Sequence, residues 1–189
     1  MPKETLGKLP AEAFGVLDLP VLSQEIRDGY RALHDLTGIV SDAMDELGIV
    51  GAIPAAVLRP SDPTARVVGR ALTVHNVAAN ASVPDKVKAG VSGLGEIEAH
   101  NLAEPGDVLV VQGVDQVSNL GGLSATIGHR QGEIGAIVDG GARDVDHARS
   151  RQNGQPVAHI KPTEQITWEK REVELFHPVG PTTPRAIQG

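Results

Sequence analysis

Apolar residues recur at helical spacing through VLSQEIRDGYRALHDLTGIVSDAMDELG (21–48), in two pieces. Val21, Ile26, Tyr30 and Leu33 share one face; Ile39, Val40, Ala43, Met44 and Leu47 share another. Thr37 can cap the second helix, and Gly48 stops it. Pro54, Pro60 and Pro63 then punctuate a loop. At ARVVGRALTVHNV (65–77) the period shortens to a partial alternation, which predicts extended chain with Gly69 as a bulge. From 78 to 104 neither period holds, apart from a helical stretch through EIEAHNLA.

Beyond residue 104 the pattern is regular. PGDVLVVQG (105–113) is a turn feeding a short apolar strand with both faces suited to burial. VDQVSNLGG (114–122) is a glycine-bearing loop, LSATIGHRQG (123–132) a helix, and IGAIVDGG (134–141) a second buried strand. ARDVDHARSRQNG (142–154) predicts a short helix closed by Asn153-Gly154, and PVAHI (156–160) a third strand. Strand, helix, strand, helix, strand at this spacing is a βαβαβ unit with parallel strands and right-handed crossovers, so the fold class is α/β.

A chain of 189 residues suits one domain. At that size folding removes roughly 70% of the extended surface from water, so no disulfide or metal staple is required. With no Cys, thiolate metal sites, thiol nucleophiles and disulfide scaffolds are excluded. Only 2% of residues are aromatic, while Gly numbers 22, so the core must be built from Val, Ala, Leu and Ile, and base-stacking platforms are not expected. A net charge of −7 argues against general nucleic-acid binding, which needs a basic face. The opening MPKETLGKLPAEAFGVLDLP lacks the apolar stretch of a signal peptide, and no run approaches the ~18 apolar residues of a membrane span. The expectation is a soluble, cytoplasmic protein without a membrane or nucleic-acid partner. Residues 1–20 are expected to form an arm, mobile or packed on a neighbour, ahead of a domain over 21–189.

In open parallel α/β sheets, ligands collect beyond the carboxyl ends of the strands. Two loops fall there. One ends in Gly121-Gly122 at a helix start, leaving the amides near Leu123 and Ser124 available to an anion. The other delivers Arg143 and Asp144. Arg offers a bidentate clamp for a carboxylate, and Asp a hard oxygen ligand for Mg²⁺ or Mn²⁺. The set suits a 2-oxo acid, with its carboxylate on the amides and Arg143 and a metal polarising the adjacent carbonyl. Taken singly, Gly-Gly is more often just a tight turn and Arg-Asp more often a helix cap with a surface ion pair; their placement on successive βα loops is what points to a site.

Other candidates carry less. Asp146 and His147 could assist a metal but read as exposed helix residues, and His100, His129 and His159 show no ligand spacing and read as surface or packing residues. GVSGLG (90–95) has its glycines in the wrong order for a dinucleotide loop, with no strand before them. Ser41 and Asp42 read as structural positions within the second helix, and Asp45 and Glu46 as its solvated face.

VSDAMDELG (40–48), ARVVGRALTV (65–74), EPGDVLVV (104–111) and GLSATIGHRQGEIGAIVDGGARDVD (122–146) together resemble the RraA-like family, from about residue 36 to 160. That family includes aldolases for 4-hydroxy-4-methyl-2-oxoglutarate and 4-carboxy-4-hydroxy-2-oxoadipate, and regulators of ribonuclease activity. The resemblance implies a swivelling β/β/α fold, assembled as a trimer or hexamer with sites between subunits. It also implies a motif of Gly, twenty residues, Arg-Asp, two residues and an acid, which Gly122 and Arg143-Asp144 match. By this likeness the amides of Leu123 and Ser124 hold a pyruvate carboxylate, Arg143 contacts the pyruvate oxygens, and Asp144 anchors Mg²⁺ or Mn²⁺. The implied reaction is metal-dependent retro-aldol cleavage releasing pyruvate, with oxaloacetate decarboxylation beside it. The alternative it implies is a non-catalytic regulator that binds another protein. Two departures stand out: His147 occupies the place of the final acid, and after HPVG (177–180) the chain ends in PTTPRAIQG where relatives continue with two closing strands. The expectation is either a naturally shortened relative or a chain that has lost its C-terminal segment.

Overall fold

The computed structural model describes residues 3–6, 9, 13–15, 20, 22–54, 56–60, 65–78, 83–90, 95–115, 117–144, 146, 158–159 and 172–176. Its centre is a five-stranded sheet. Strands β3 (Arg70–Val77), β4 (Asp107–Gln112) and β6 (Gly135–Asp139) run parallel as neighbours, and β9 (Glu172–Phe176) lies antiparallel to β3. β1 (Phe14–Gly15) pairs parallel with β9 at the outer edge. Between β3 and β4 come α3 (Val83–Lys88) and α4 (Gly95–Leu102), and between β4 and β6 comes α5 (Gly122–Gln131). The predicted βαβαβ unit is thus present, displaced by one strand: its third parallel member is β3. The predicted strand over 156–160 is instead β8 (Ala158–His159), antiparallel to β2 (Arg59–Pro60) in a separate two-stranded ladder. A short apolar run does not reveal which partner it will take, and Pro60, lacking an N–H, suits an edge ladder of this kind.

The core follows from the composition. Leu72 and Val74 on β3, Leu109 and Val111 on β4, and Ala136 and Val138 on β6 pack with Ala99, Ala103 and Leu120, and partly buried Phe14 packs against them. On β3 burial alternates through Leu72, Val74 and Asn76, as a strand with one covered face requires. Where β3 and β4 begin, Arg70 is paired with Asp107 in register and makes a bidentate bond to it, 2.8 Å through Nε and 2.9 Å through the other nitrogen. The Asp107 hydrogen bond raises the Arg70 pKa above its ordinary value, against the opposing effect of partial burial, with added attraction from the Asp107 and Glu104 charges.

Ahead of the sheet lie α1 (Gln24–Ala32) and α2 (Leu36–Glu46). Ser23 caps α1, its hydroxyl accepting the Ile26 N–H at 3.2 Å. Gly48 ends α2 as predicted, at φ +66°, with Gly48 N–H bonded to Asp45 O and Ile49 N–H to Met44 O, both orphan carbonyls of a Schellman turn. The predicted cap at Thr37 is displaced by two residues: α2 starts at Leu36, Asp35 is the cap position, and Thr37 lies inside the first turn. Gly69 is no bulge, because β3 and β4 pair in unbroken register from Arg70 onward. Its role is close approach, since a Cβ there would collide with the Gly106 carbonyl oxygen.

The start of the chain lies on its own α4. Leu6 N–H donates to Glu98 at 2.7 Å, the Asn101 amide donates to Glu4 O at 2.8 Å, and the Lys3 ammonium bonds Ala103 O. No helix among the described residues is long and apolar enough to cross a membrane.

Candidate active site

Because β4 and β6 are adjacent and parallel, the loops after them emerge side by side. A second, smaller parallel pair then fastens them together: β5 (Ser118–Leu120) against β7 (Gly141–Ala142), with a bulge between Ser118 and Leu120. Arg143 N–H donates to Leu120 O at 3.0 Å, continuing the link past the strand end. Asn119 locks the other flank. Buried completely, it accepts from Val114 N–H and from the Asn76 amide, and donates to Val114 O and Val117 O, each at 3.0 Å.

These links bring the turn Gly121-Gly122 against Arg143 and Asp144. Gly122 N–H donates to Asp144 Oδ2 at 3.1 Å, and the same oxygen lies 3.5 Å from Arg143 Nε. A Cβ on Gly121 would sit 3.1 Å from Arg143 Nε, a tight approach that the Arg143 side chain would have to yield to. Asp144 reaches back through a left-handed backbone, φ +59°, which an Asp tolerates better than most residues. Arg143 and Asp144 therefore follow a strand and occupy a turn. The predicted helix over 142–154 does not start there, because Ala142 is still paired in β7; its remaining residues, His147 among them, fall largely outside the described residues.

The first intrahelical bond of α5 runs from Ala125 N–H to Gly121 O. The amides of Gly122, Leu123 and Ser124 precede it; Gly122 is taken by Asp144, while those of Leu123 and Ser124 meet no acceptor among the described residues. All five sequence-predicted residues (Gly122, Leu123, Ser124, Arg143 and Asp144) thus lie on one helix start and the turn facing it. A carboxylate on the two amides would add to the favourable field of the helix N-terminus. Asp144 also fits a hydrated Mg²⁺ or Mn²⁺. Its side chain is 49% exposed and Oδ1 has no partner among the described residues, and such ions keep most of their waters while taking one or two carboxylates. No group of three or more His, Asp or Glu able to hold a metal exists among the described residues, so protein ligation would rest on Asp144.

Sequence reasoning missed a second polar cluster directly beneath this turn. His100 on α4 is 1% exposed; its Nδ1 lies 2.7 Å from Glu133 Oε1 and its Nε2 2.6 Å from the Ser124 hydroxyl. Glu133 is 6% and Ser124 5% exposed. Hydroxyl, imidazole and carboxylate stand in the order of an acyl-transfer triad, but burial of all three keeps them from a substrate. His100 carried no spacing signal, since its two partners are 24 and 33 residues away.

The fold is a mixed α/β domain in which the start of α5 meets the Arg143-Asp144 turn beyond the ends of the parallel strands, the place where ligands collect in such sheets. The sequence matches the RraA-like family, Aldolase/RraA, over residues 37–176, and the chain belongs to that family. Among solved structures it is similar to Streptomyces coelicolor RraAS2, described as an unusual member of the RNase ES inhibitor RraA protein family. The identity is 25% and the TM-score 0.56, over 84% of this chain and 72% of that one. An uncharacterised protein from Pseudomonas syringae pv. tomato shares the fold at 22% identity and TM-score 0.59, over 85% of this chain and 66% of that one. So does a protein described among novel cellulases from gut-associated microbes, at 19% identity and TM-score 0.64, over 88% and 70%. The chain thus spans roughly two thirds to three quarters of the length of these structures. No curated protein matches the sequence.

Proposed function

We propose that the chain is a divalent-metal-dependent lyase that cleaves a 4-hydroxy-2-oxo acid and releases pyruvate, with oxaloacetate decarboxylation as a side activity. The observation that carries this reading is the convergence of the α5 amides with Arg143 and Asp144, in a member of a family whose description names aldolase and RraA together. The Leu123 and Ser124 amides bind the substrate carboxylate, and the Arg143 guanidinium grips the 2-oxo oxygen. Asp144 holds Mg²⁺ or Mn²⁺, which when bound supplies a Lewis acid for that carbonyl. Cleavage breaks the C3–C4 bond, leaving its electron pair on the pyruvate fragment as an enolate while the C4 hydroxyl gives its proton to solvent water and becomes the carbonyl of the second product; water then returns a proton to C3 of the enolate to give pyruvate. Arg143 stabilises the negative charge that develops on the enolate oxygen, more strongly than it held the neutral ketone. The reading carries with it assembly as a trimer or hexamer in the cytoplasm.

The test is pyruvate release from 4-hydroxy-4-methyl-2-oxoglutarate and from oxaloacetate, with added Mg²⁺ or Mn²⁺ and with EDTA. Metal-dependent release supports the lyase. Absence of release from both substrates with either metal removes it. A second reading, a non-catalytic regulator that binds a basic protein partner, is favoured by the 25% identity to a member of an RNase inhibitor family and by the net charge of −7. A stable complex with such a partner, together with no pyruvate chemistry, selects it.

A further inference from the structure

Ser124 contributes twice to the first turn of α5: its amide belongs to the proposed anion cradle, and its hydroxyl goes inward to His100. A serine hydroxyl in a first turn has other options, because it readily bonds its own or neighbouring backbone groups and so competes for the donors an anion needs. Three observations show that the inward arrangement is built. His100 and Glu133 are almost completely buried where apolar residues would fill the α4–α5 contact without polar partners. Gly128 leaves room for the pair, since a Cβ there would collide with Glu133 Oε2 and lie 2.9 Å from His100 Nδ1. A cavity of about 20 Å³, enough for one water, adjoins His100, His129 and Glu133 and can solvate the carboxylate end.

We propose that His100 and Glu133 are positioning residues for the anion cradle: they hold the Ser124 hydroxyl inward so that the Leu123 and Ser124 amides stay open to a substrate carboxylate. The inference rests on the lyase reading for the identity of the anion. A carboxylate only accepts, so Glu133 fixes the imidazole proton on Nδ1, and the neutral Nε2 then accepts the Ser124 O–H. Neither side chain touches substrate.

The two ring nitrogens can be separated. An Asn at 100 keeps a donor where Nδ1 stood and releases Ser124, whereas a Gln keeps an acceptor near Nε2 and releases Glu133. Pyruvate binding in the presence of Mg²⁺, measured by calorimetry on the full chain, should stay within about twofold of wild type for H100Q and weaken about tenfold for H100N, the scale of one lost hydrogen bond. The double variant H100N/S124A should recover most of that loss, because no hydroxyl remains to occupy the cradle. Equal losses in H100N and H100Q, or no recovery in the double variant, would overturn the proposal. A measurement on the wild-type chain alone guards against variants that fail to fold and against a wild type that binds no pyruvate, an outcome that counts against the lyase reading only. Long-range ¹H–¹⁵N spectra should show His100 protonated on Nδ1 and bare on Nε2. A ring protonated on Nε2 instead would leave the Ser124 proton unclaimed and sink the positioning role.

Discussion

The two helix pairs of this protein contrast sharply. In α1 and α2 the apolar positions are cleanly segregated, yet no residue of either helix is buried, and Leu47, just beyond them, is 73% exposed. In α4 and α5 polar and apolar residues are mixed round the helix, yet Glu96, Glu98, Ala99, His100, Ser124 and Gly128 are all buried. Amphipathic patterning records that a helix has two faces, not how deeply either sits. A helix wedged between a sheet and another helix meets protein on several sides, so its polar residues must find partners inside, and its pattern blurs. The His100 cluster and the amides of the candidate site belong to the blurred pair, while Arg143 and Asp144 come from the turn after β7.

Substitutions in the two regions should therefore differ in a graded way. Leu109→Ala, in the β4 core beneath α4, should cost about 2–5 kcal/mol in urea unfolding, because Leu109 is wholly buried and a cavity would remain. Arg70→Ala should cost about 3 kcal/mol, since it strands the buried Asp107 carboxylate at the start of the same sheet. Ser23→Ala removes the α1 cap and should cost about 1 kcal/mol. Leu47→Ser, on the exposed pair, should stay within about 0.5 kcal/mol of wild type. A loss at Leu47 equal to that at Leu109 would show that the first helix pair is packed in solution against something the isolated chain does not contain, and would break the contrast.

That the two loops meet was legible before the structure, and for a physical reason. Local signals suffice for a glycine turn entering a helix or an Arg-Asp pair leaving a strand, and parallel neighbouring strands bring successive βα loops together. Gly122 and Asp144 meet as that rule requires. The strands β5 and β7 that fasten the loops were not legible, because three-residue and two-residue strands have no period. β9 was missed as well: its register on β3 is a long-range pairing that nothing local announces. The His100 cluster was hidden for the same reason, its members coming together only once α4 and α5 pack.

The central claim is that Arg143 and the α5 amides grip one substrate. The measurement that tests it most directly is kcat/KM for metal-dependent pyruvate release by Arg143→Ala, with the unfolding midpoint followed in parallel. Loss of a charged hydrogen bond of about 1.5–3 kcal/mol predicts a fall of roughly ten- to 150-fold, with an unfolding midpoint close to wild type. An active wild type whose Arg143→Ala variant keeps its full kcat/KM would contradict the account.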